Sequence, residues 1–409
     1  MVRALDRVVR NGGAAGVDGM EVDQLQDWWA ESWPRVLLSL EEGSYRPAPV
    51  RRVEIPKPGG GSRWLGVPTV VDRVIQQAIC QVLVPVFDPV FSDRSFGYRP
   101  GRSAHQAVET ARGFIEDGFV WVVEIDLERF FDRVNHDMVM ARVARRVADK
   151  RLLKLVRAFV EAGVMTDGVR QPVMEGVAQG SPLSPLLSNI MLDDLDRELE
   201  SRGHLFVRYA DDVRVYVRSE RAGGRVLESV SGWIEKRLKL VVNRHKSGVG
   251  HATRMMLLGF GFLVRSGRVS IRVAPSAVER MRQRIRQLTS RSWGVSLYQR
   301  IRSLNRFIGG WVAYFRLAET PSLFTRTDQW LRRRLRQVMW VMWKNNTTRV
   351  AELRKLGAND KAIFVAVTAA GGPWRASRRE ALNRTLTIRW WRQQGLIGFE
   401  DRYQHHHSS

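Results

Sequence analysis

Three aspartates stand where their neighbours should bring them to the end of a sheet. The run Phe119-Val120-Trp121-Val122-Val123-Glu124-Ile125-Asp126 is apolar and strand-forming until it ends in acids. A strand that buries its side chains can end in carboxylates only where they meet water or hold a cation. Further on, Leu205 to Arg218 alternates, with Val213, Val215 and Val217 on one face and Arg214, Tyr216 and Arg218 on the other, about a tight hairpin turn at Ala210-Asp211-Asp212. Carboxylates brought together in this way repel one another and in part protonate, so their convergence argues for a bound cation. Mg²⁺ takes hard oxygen ligands, and two such ions about 4 Å apart can activate a 3′-hydroxyl and neutralise a triphosphate, which is the chemistry of extending a nucleic acid. Taken alone, an Asp-Asp pair in a turn is equally the composition of a solvated turn, and its meaning depends on the surrounding segments.

The chain as a whole calls for a polyanionic partner. Its 409 residues carry 66 Lys and Arg against 42 Asp and Glu, a net charge of +24 with a pI near 11.2, and nucleic acid is the first candidate to offset it. An anionic membrane is the rival, but no apolar run in the sequence approaches the ~20 residues of a spanning helix, and no membrane partner is expected. Met1-Val2-Arg3-Ala4-Leu5-Asp6 lacks the apolar stretch of a signal peptide, so the expected location is the cytoplasm. The single cysteine, Cys80, excludes internal disulfides and Cys-rich zinc sites and reads as core, while His405-His406-His407 reads as a tail.

The elements needed to position these groups follow in order. Residues 1–47 are mostly helical, interrupted by the glycine-rich Asn11 to Gly19, an irregular loop with too few apolar residues to join the core. Val50 to Pro56 alternates as a strand and enters the turn Lys57 to Arg63, giving a hairpin with a basic tip. Helices are expected over Thr69 to Val86 and Ser103 to Asp117, with the loop Phe96 to Arg102 between them. In Gln179-Gly180-Ser181-Pro182-Leu183-Ser184-Pro185, a glycine and two prolines make a rigid turn that opens a helix, with serines available as caps. Beyond Pro275 helical spacing takes over, as in Leu297, Ile301, Leu304, Ile308, Trp311 and Phe315. Pro275 to Lys344 holds fifteen Lys and Arg against three Asp and Glu, half of the net charge. Eight of the fourteen tryptophans lie from Trp293 onward, a mixture that suits RNA stacking and equally suits a helical core.

In this order the segments resemble those of bacterial group II intron reverse transcriptases, the intron-encoded maturases, and most nearly their short forms without an endonuclease domain. The resemblance covers nearly the whole chain. It implies an α+β right-hand polymerase (fingers and palm) followed by an all-helical thumb/maturase domain. Residues 1–47 are then an N-terminal extension whose Gly12 to Gly19 loop lies against template, 48–270 the fingers and palm, 271–350 the thumb and maturase domain, and 351–409 a C-terminal helical extension and tail.

By the same resemblance Asp126 binds both Mg²⁺ ions and the Leu127 carbonyl one, with Asp211 a firm ligand and Asp212 a supporting one. Lys57 and Arg63 grip the incoming triphosphate, and Lys246 sits behind it. Phe131 gates against a ribose 2′-hydroxyl, although Phe-Phe runs are as often ordinary core. Gln179 lies near the nascent pair, Gly180, Ser181 and Pro182 belong to the template-contacting motif, and Leu258, Gly259 and Phe260 form the primer-grip turn.

The implied activity is extension of a primer with dNTPs on an RNA template. The implied partners are that template, the RNA/DNA duplex, group II intron RNA whose splicing the chain assists, and a DNA target; the oligomeric state is left open. Further readings stay open: a domesticated reverse transcriptase in host defence or repair, chiefly an RNA-binding splicing factor, or a polymerase that makes RNA. Two departures from the family pattern imply a shortened N-terminal extension and, without a His/Cys-rich nuclease segment, no second-strand cleavage by this chain.

Overall fold

Local capping explains where many elements begin. Ser103 Oγ accepts the Gln106 amide while the Gln106 side chain accepts the Ser103 amide, a reciprocal cap that starts the helix Ala104–Glu116. Thr69 caps Val70–Phe87, and Ser181 Oγ accepts the Ser184 amide at the start of Ser184–Ser201. The computed structural model describes residues 1–56, 61–166, 169–171 and 175–408, and these divide into two units between Ala252 and Thr253.

In the first unit, β1 (Val50–Pro56) and β2 (Ser62–Val67) pair antiparallel from Arg51 opposite Val67 to Pro56 opposite Ser62, as alternation predicts. The hairpin tip with Lys57, and the side chain of Arg63, lie outside the described residues. The central strand β3 (Trp121–Ile125) belongs to another sheet, whereas β4 (Val164–Thr166) runs parallel to β1 and carries β5 (Val169–Gln171), for a sheet order β2-β1-β4-β5. The other sheet is completed by β6 (Leu205–Tyr209), β7 (Asp212–Val217) and β8 (Gly248–His251) in the order β6-β7-β3-β8.

Both faces of β7 are covered. Tyr216 and Arg214, which alternation places on an outward polar face, are 2% and 5% exposed. For Tyr216 the reason is the helix Ala104–Glu116, which packs along β6 and whose Phe114 meets Tyr216 with ring centroids 5.5 Å apart.

Two sequence expectations need correction here. The helix Val70–Phe87 begins a stretch, Val70–Val90, that is long and apolar enough to cross a membrane by length and composition. Asp72, Arg73 and Gln76 interrupt the run as it reads in sequence, and in the fold Val70, Val74, Ile75, Ile79 and Leu83 are buried core. The glycine-rich loop is also docked rather than free of the core, with Ala15 and Gly16 buried. Arg73 donates to the carbonyls of Gly12 at 3.3 Å and Ala14 at 2.6 Å, and Arg51 Nε to that of Ala15 at 3.0 Å. A Cβ on Gly16 would sit 2.6 Å from Thr69 Cα, so glycine is required by close approach.

The second unit begins with a small sheet, β9 (Met256–Leu257), β10 (Phe260–Arg265) and β11 (Arg268–Val273), in the order β11-β10-β9. This sheet, which lies across the sequence boundary drawn at residue 270, falls in one unit with the helices that follow, Pro275–Leu288, Leu297–Phe315 and Pro321–Met342. Their core holds Ile301, Leu304, Ile308, Val312, Leu331 and Leu335, and Trp340, Trp343 and Trp391 are buried with them. For these three tryptophans the core reading is the right one. Trp374 is more exposed and stacks under the Arg333 guanidinium at 3.6 Å.

Candidate active site

Asp126 directly follows β3, and the chain around it is pinned from a distant segment. Its amide donates to Ser247 Oγ at 3.0 Å, its carbonyl accepts the Asn243 amide at 2.8 Å, and the Glu128 amide donates to the Val241 carbonyl at 2.8 Å. Leu127 bridges to Val242 across this junction. Beside it, β6 and β7 close with Tyr209 opposite Asp212, which leaves Ala210-Asp211 as a two-residue turn. Since β7 pairs with β3 through Ile125 opposite Val213, the turn and Asp126 meet at the same end of the sheet.

The turn is held in an unusual shape. Ala210 has φ 57°, a left-handed conformation that costs an L-residue roughly 1–2 kcal/mol. A Cβ on Gly97 would lie 2.3 Å from the Ala210 nitrogen, so only glycine lets the loop before Ala104–Glu116 press against it. From the interior, Arg208 donates to the Ala210 carbonyl at 3.0 Å.

The three aspartates differ in setting. Burial holds Asp211 above the usual carboxylate range, the charge of Asp126 adding to the rise and Arg208 opposing it. Asp212, the first residue of β7, faces Arg214 at 3.3 Å, and Arg214 in turn pairs with Glu124 at 2.5 Å. Burial pushes Asp212 up to about 6 against the pull of Arg214, with Glu124, Asp211 and Asp126 adding to the rise. Lys246 Nζ approaches Asp126 Oδ2 at 3.9 Å from a largely exposed position.

Among the described residues no three His, Cys, Asp or Glu side chains are gathered as a closed metal cage. Asp126 and the raised Asp211 nevertheless suit a hard divalent cation, which relieves their repulsion and retains positions for water and phosphate oxygens beyond one or two carboxylates. Asp212 is shared with Arg214.

A cavity of about 270 Å³ brings together Arg52, Trp64 and Gly66 of the β1–β2 hairpin with Phe131, Ala178 and Gln179. The Gly66 amide donates to the Gln179 carbonyl at 2.9 Å, and the Val177 amide to that of Phe131 at 2.7 Å, so the two chain segments are stitched to one wall. Gly180 has φ 114° beside the Gly66 carbonyl, Ser181 hydrogen-bonds Ser184 at 2.8 Å, and the Pro182 carbonyl accepts from Cys80. Leu258 and Gly259 make the tight β9–β10 turn of the second unit with φ 51° and 83°, and Tyr314 donates to the Leu258 carbonyl at 2.9 Å. There Phe260 packs on Phe315 at 5.0 Å.

Sequence reasoning overlooked several supporting residues: Ser247 under Asp126, the Glu124–Arg214 pair, and Arg208 with Asn189, Asp196 and Gly97 behind the turn. Glu124 lies two residues before Asp126, on the strand that leads into it, and that period was the one available signal. The others join through folding alone.

A family model described as reverse transcriptase (RNA-dependent DNA polymerase) matches residues 55–262, and one described as group II intron, maturase-specific domain matches residues 278–357. Protein YkfC of Escherichia coli (strain K12) is 32% identical over 323 residues, which cover 69% of this chain and 85% of that protein. The group II intron-encoded protein LtrA of Lactococcus lactis subsp. cremoris is 34% identical over 195 residues, 47% of this chain and 32% of LtrA, so the match spans about a third of that longer relative. Among solved structures, telomerase from Candida albicans in complex with a fragment of telomeric RNA is 14% identical with a TM-score of 0.45, covering 79% of this chain and 65% of that one.

Proposed function

Since this chain belongs to the reverse transcriptase family and carries a group II intron maturase-specific domain, we propose that it extends a primer with dNTPs on an RNA template at the Asp126–Asp211 end of its central sheet, and that it also binds intron RNA to assist splicing and mobility. The observation that carries this reading is the meeting of Asp126 and the Ala210-Asp211 turn at one sheet end. Two Mg²⁺ ions held there, with Asp212 and the Leu127 carbonyl in support, would lower the pKa of the 3′-hydroxyl and neutralise charge on the transferring phosphate.

The chain's own residues divide the remaining work. Lys246 places a cation beside Asp126, where it can follow the triphosphate. Lys57 follows β1 in sequence and Arg63 is the second residue of β2, and both would close on the same phosphates. Phe131 and Gln179 share the cavity beside the hairpin, so a bulky ring there disfavours a 2′-hydroxyl while Gln179 meets the nascent pair. The β9–β10 turn would hold the primer strand. A DNA target for the product and action in the cytoplasm complete the reading, in keeping with substrates that are RNA and dNTPs.

Asp211→Asn tests it. Primer extension on an RNA template should fall by at least about a thousandfold, while splicing of a bound intron RNA persists. Wild-type DNA synthesis by this variant would overturn the assignment.

A further inference from the structure

Behind the active-site turn lies a polar network in the protein interior. Arg208 and Asp196 are both completely buried, and the guanidinium meets the carboxylate with two parallel bonds, Nε to Oδ1 at 2.7 Å and Nη2 to Oδ2 at 2.5 Å. The remaining end, Nη1, donates to Asn189 Oδ1 at 2.9 Å and to the Ala210 carbonyl at 3.0 Å. Asn189 Nδ2 then donates to the Gly97 carbonyl at 2.9 Å, and Gly97 is the residue pressed against the Ala210 amide.

We propose that Arg208, oriented by Asp196 and Asn189, is a positioning residue that grips the Ala210-Asp211 turn from within and so sets where the Asp211 carboxylate stands. This deepens the polymerase reading above and rests on it. The network touches the turn twice: Arg208 holds its carbonyl, and through Asn189 the same guanidinium anchors the glycine that backs its amide. Ala210 would otherwise leave its left-handed φ of 57° readily.

Joining the helix Ser184–Ser201 to β6 does not by itself require this arrangement. Two apolar side chains of similar size would serve that purpose at least as well as a buried ion pair. An apolar pair has no donor for the carbonyl two residues further on. Lysine is also a poor substitute, because its ammonium is a point charge that cannot hold both Asp196 oxygens and reach past them.

Misplacing a reacting group by about 1 Å can cost roughly a hundredfold in rate, so the effect should appear in the chemical step. The test is a rapid-quench burst of single-nucleotide addition by the full chain on a preformed RNA template and DNA primer, for wild type, Arg208→Lys and Asn189→Ala. Burst amplitude counts correctly folded sites, and burst rate reports chemistry within them. The expected result is near wild-type amplitude, a dNTP dissociation constant within about twofold, and a rate lowered about tenfold in Asn189→Ala and further in Arg208→Lys.

Reduced amplitude at the wild-type rate would show that the network serves folding alone and would overturn the proposal, as would wild-type values of both. If Arg208→Lys fails to fold, Asn189→Ala, which leaves the Arg208–Asp196 pair in place, decides by the same criteria. A wild-type chain that adds no nucleotide would instead bring down the polymerase reading, and the proposal with it.

Discussion

The arginines buried beside the active-site carboxylates of the first unit and the exposed arginines on the helices of the second are used in opposite ways. In the first, Arg208 and Arg214 are buried within a few residues of the carboxylates, each tied to named acids. In the second, Arg280, Arg282, Arg302 and Arg306 stand exposed on their helices while the tryptophans Trp340, Trp343 and Trp391 fill the core. A buried guanidinium with fixed partners holds geometry. An exposed one offers charge to a phosphate backbone without choosing a sequence. Charge changes at Arg208 and Arg214 should therefore alter rate, and those at Arg280, Arg282, Arg302 and Arg306 should alter affinity and its dependence on salt.

The largest effect that sharpens this contrast concerns an aromatic. Trp391 is 1% exposed, and Trp391→Ala should cost about 3–5 kcal/mol of stability, read as a lowered Tm, with RNA affinity near normal well below that Tm. Lost affinity at unchanged Tm would make Trp391 a stacking residue and break the division. A smaller effect is expected at Phe131, where Phe131→Ala should raise incorporation of rNTPs relative to dNTPs by roughly 10–200-fold; unchanged discrimination would return this ring to ordinary core. Smallest is the single replacement of Arg280, Arg282, Arg302 or Arg306 by Gln. For each one that meets a phosphate, the slope of log affinity for duplex against log salt should shrink by about 0.9 while the single-nucleotide burst rate stays constant.

Local chemistry was legible from sequence because it depends on neighbours. The strand ending at Asp126, the β1–β2 hairpin, the caps at Thr69 and Ser103 and the helical spacing from Leu297 each rest on residues a few positions apart. What escaped depends on distant partners. Alternation reports the polarity of the Arg214 and Tyr216 face and says nothing of the helix that covers it. The parallel pairing of β4 with β1 involves, in β4, a three-residue strand too short to announce itself. Arg208 reads as one more basic residue until the helix bearing Asn189 and Asp196 is packed against it.

Ser247 carries one last implication, for the order in which the protein is made. The hydroxyl that receives the Asp126 amide lies 121 residues further along the chain. A ribosome therefore releases the aspartate long before its anchor, and contacts so remote in sequence form late because a long loop must first close. The nascent polypeptide should stay inert as a polymerase through most of its synthesis, gaining competence only after the segment around Ser247 has emerged and docked.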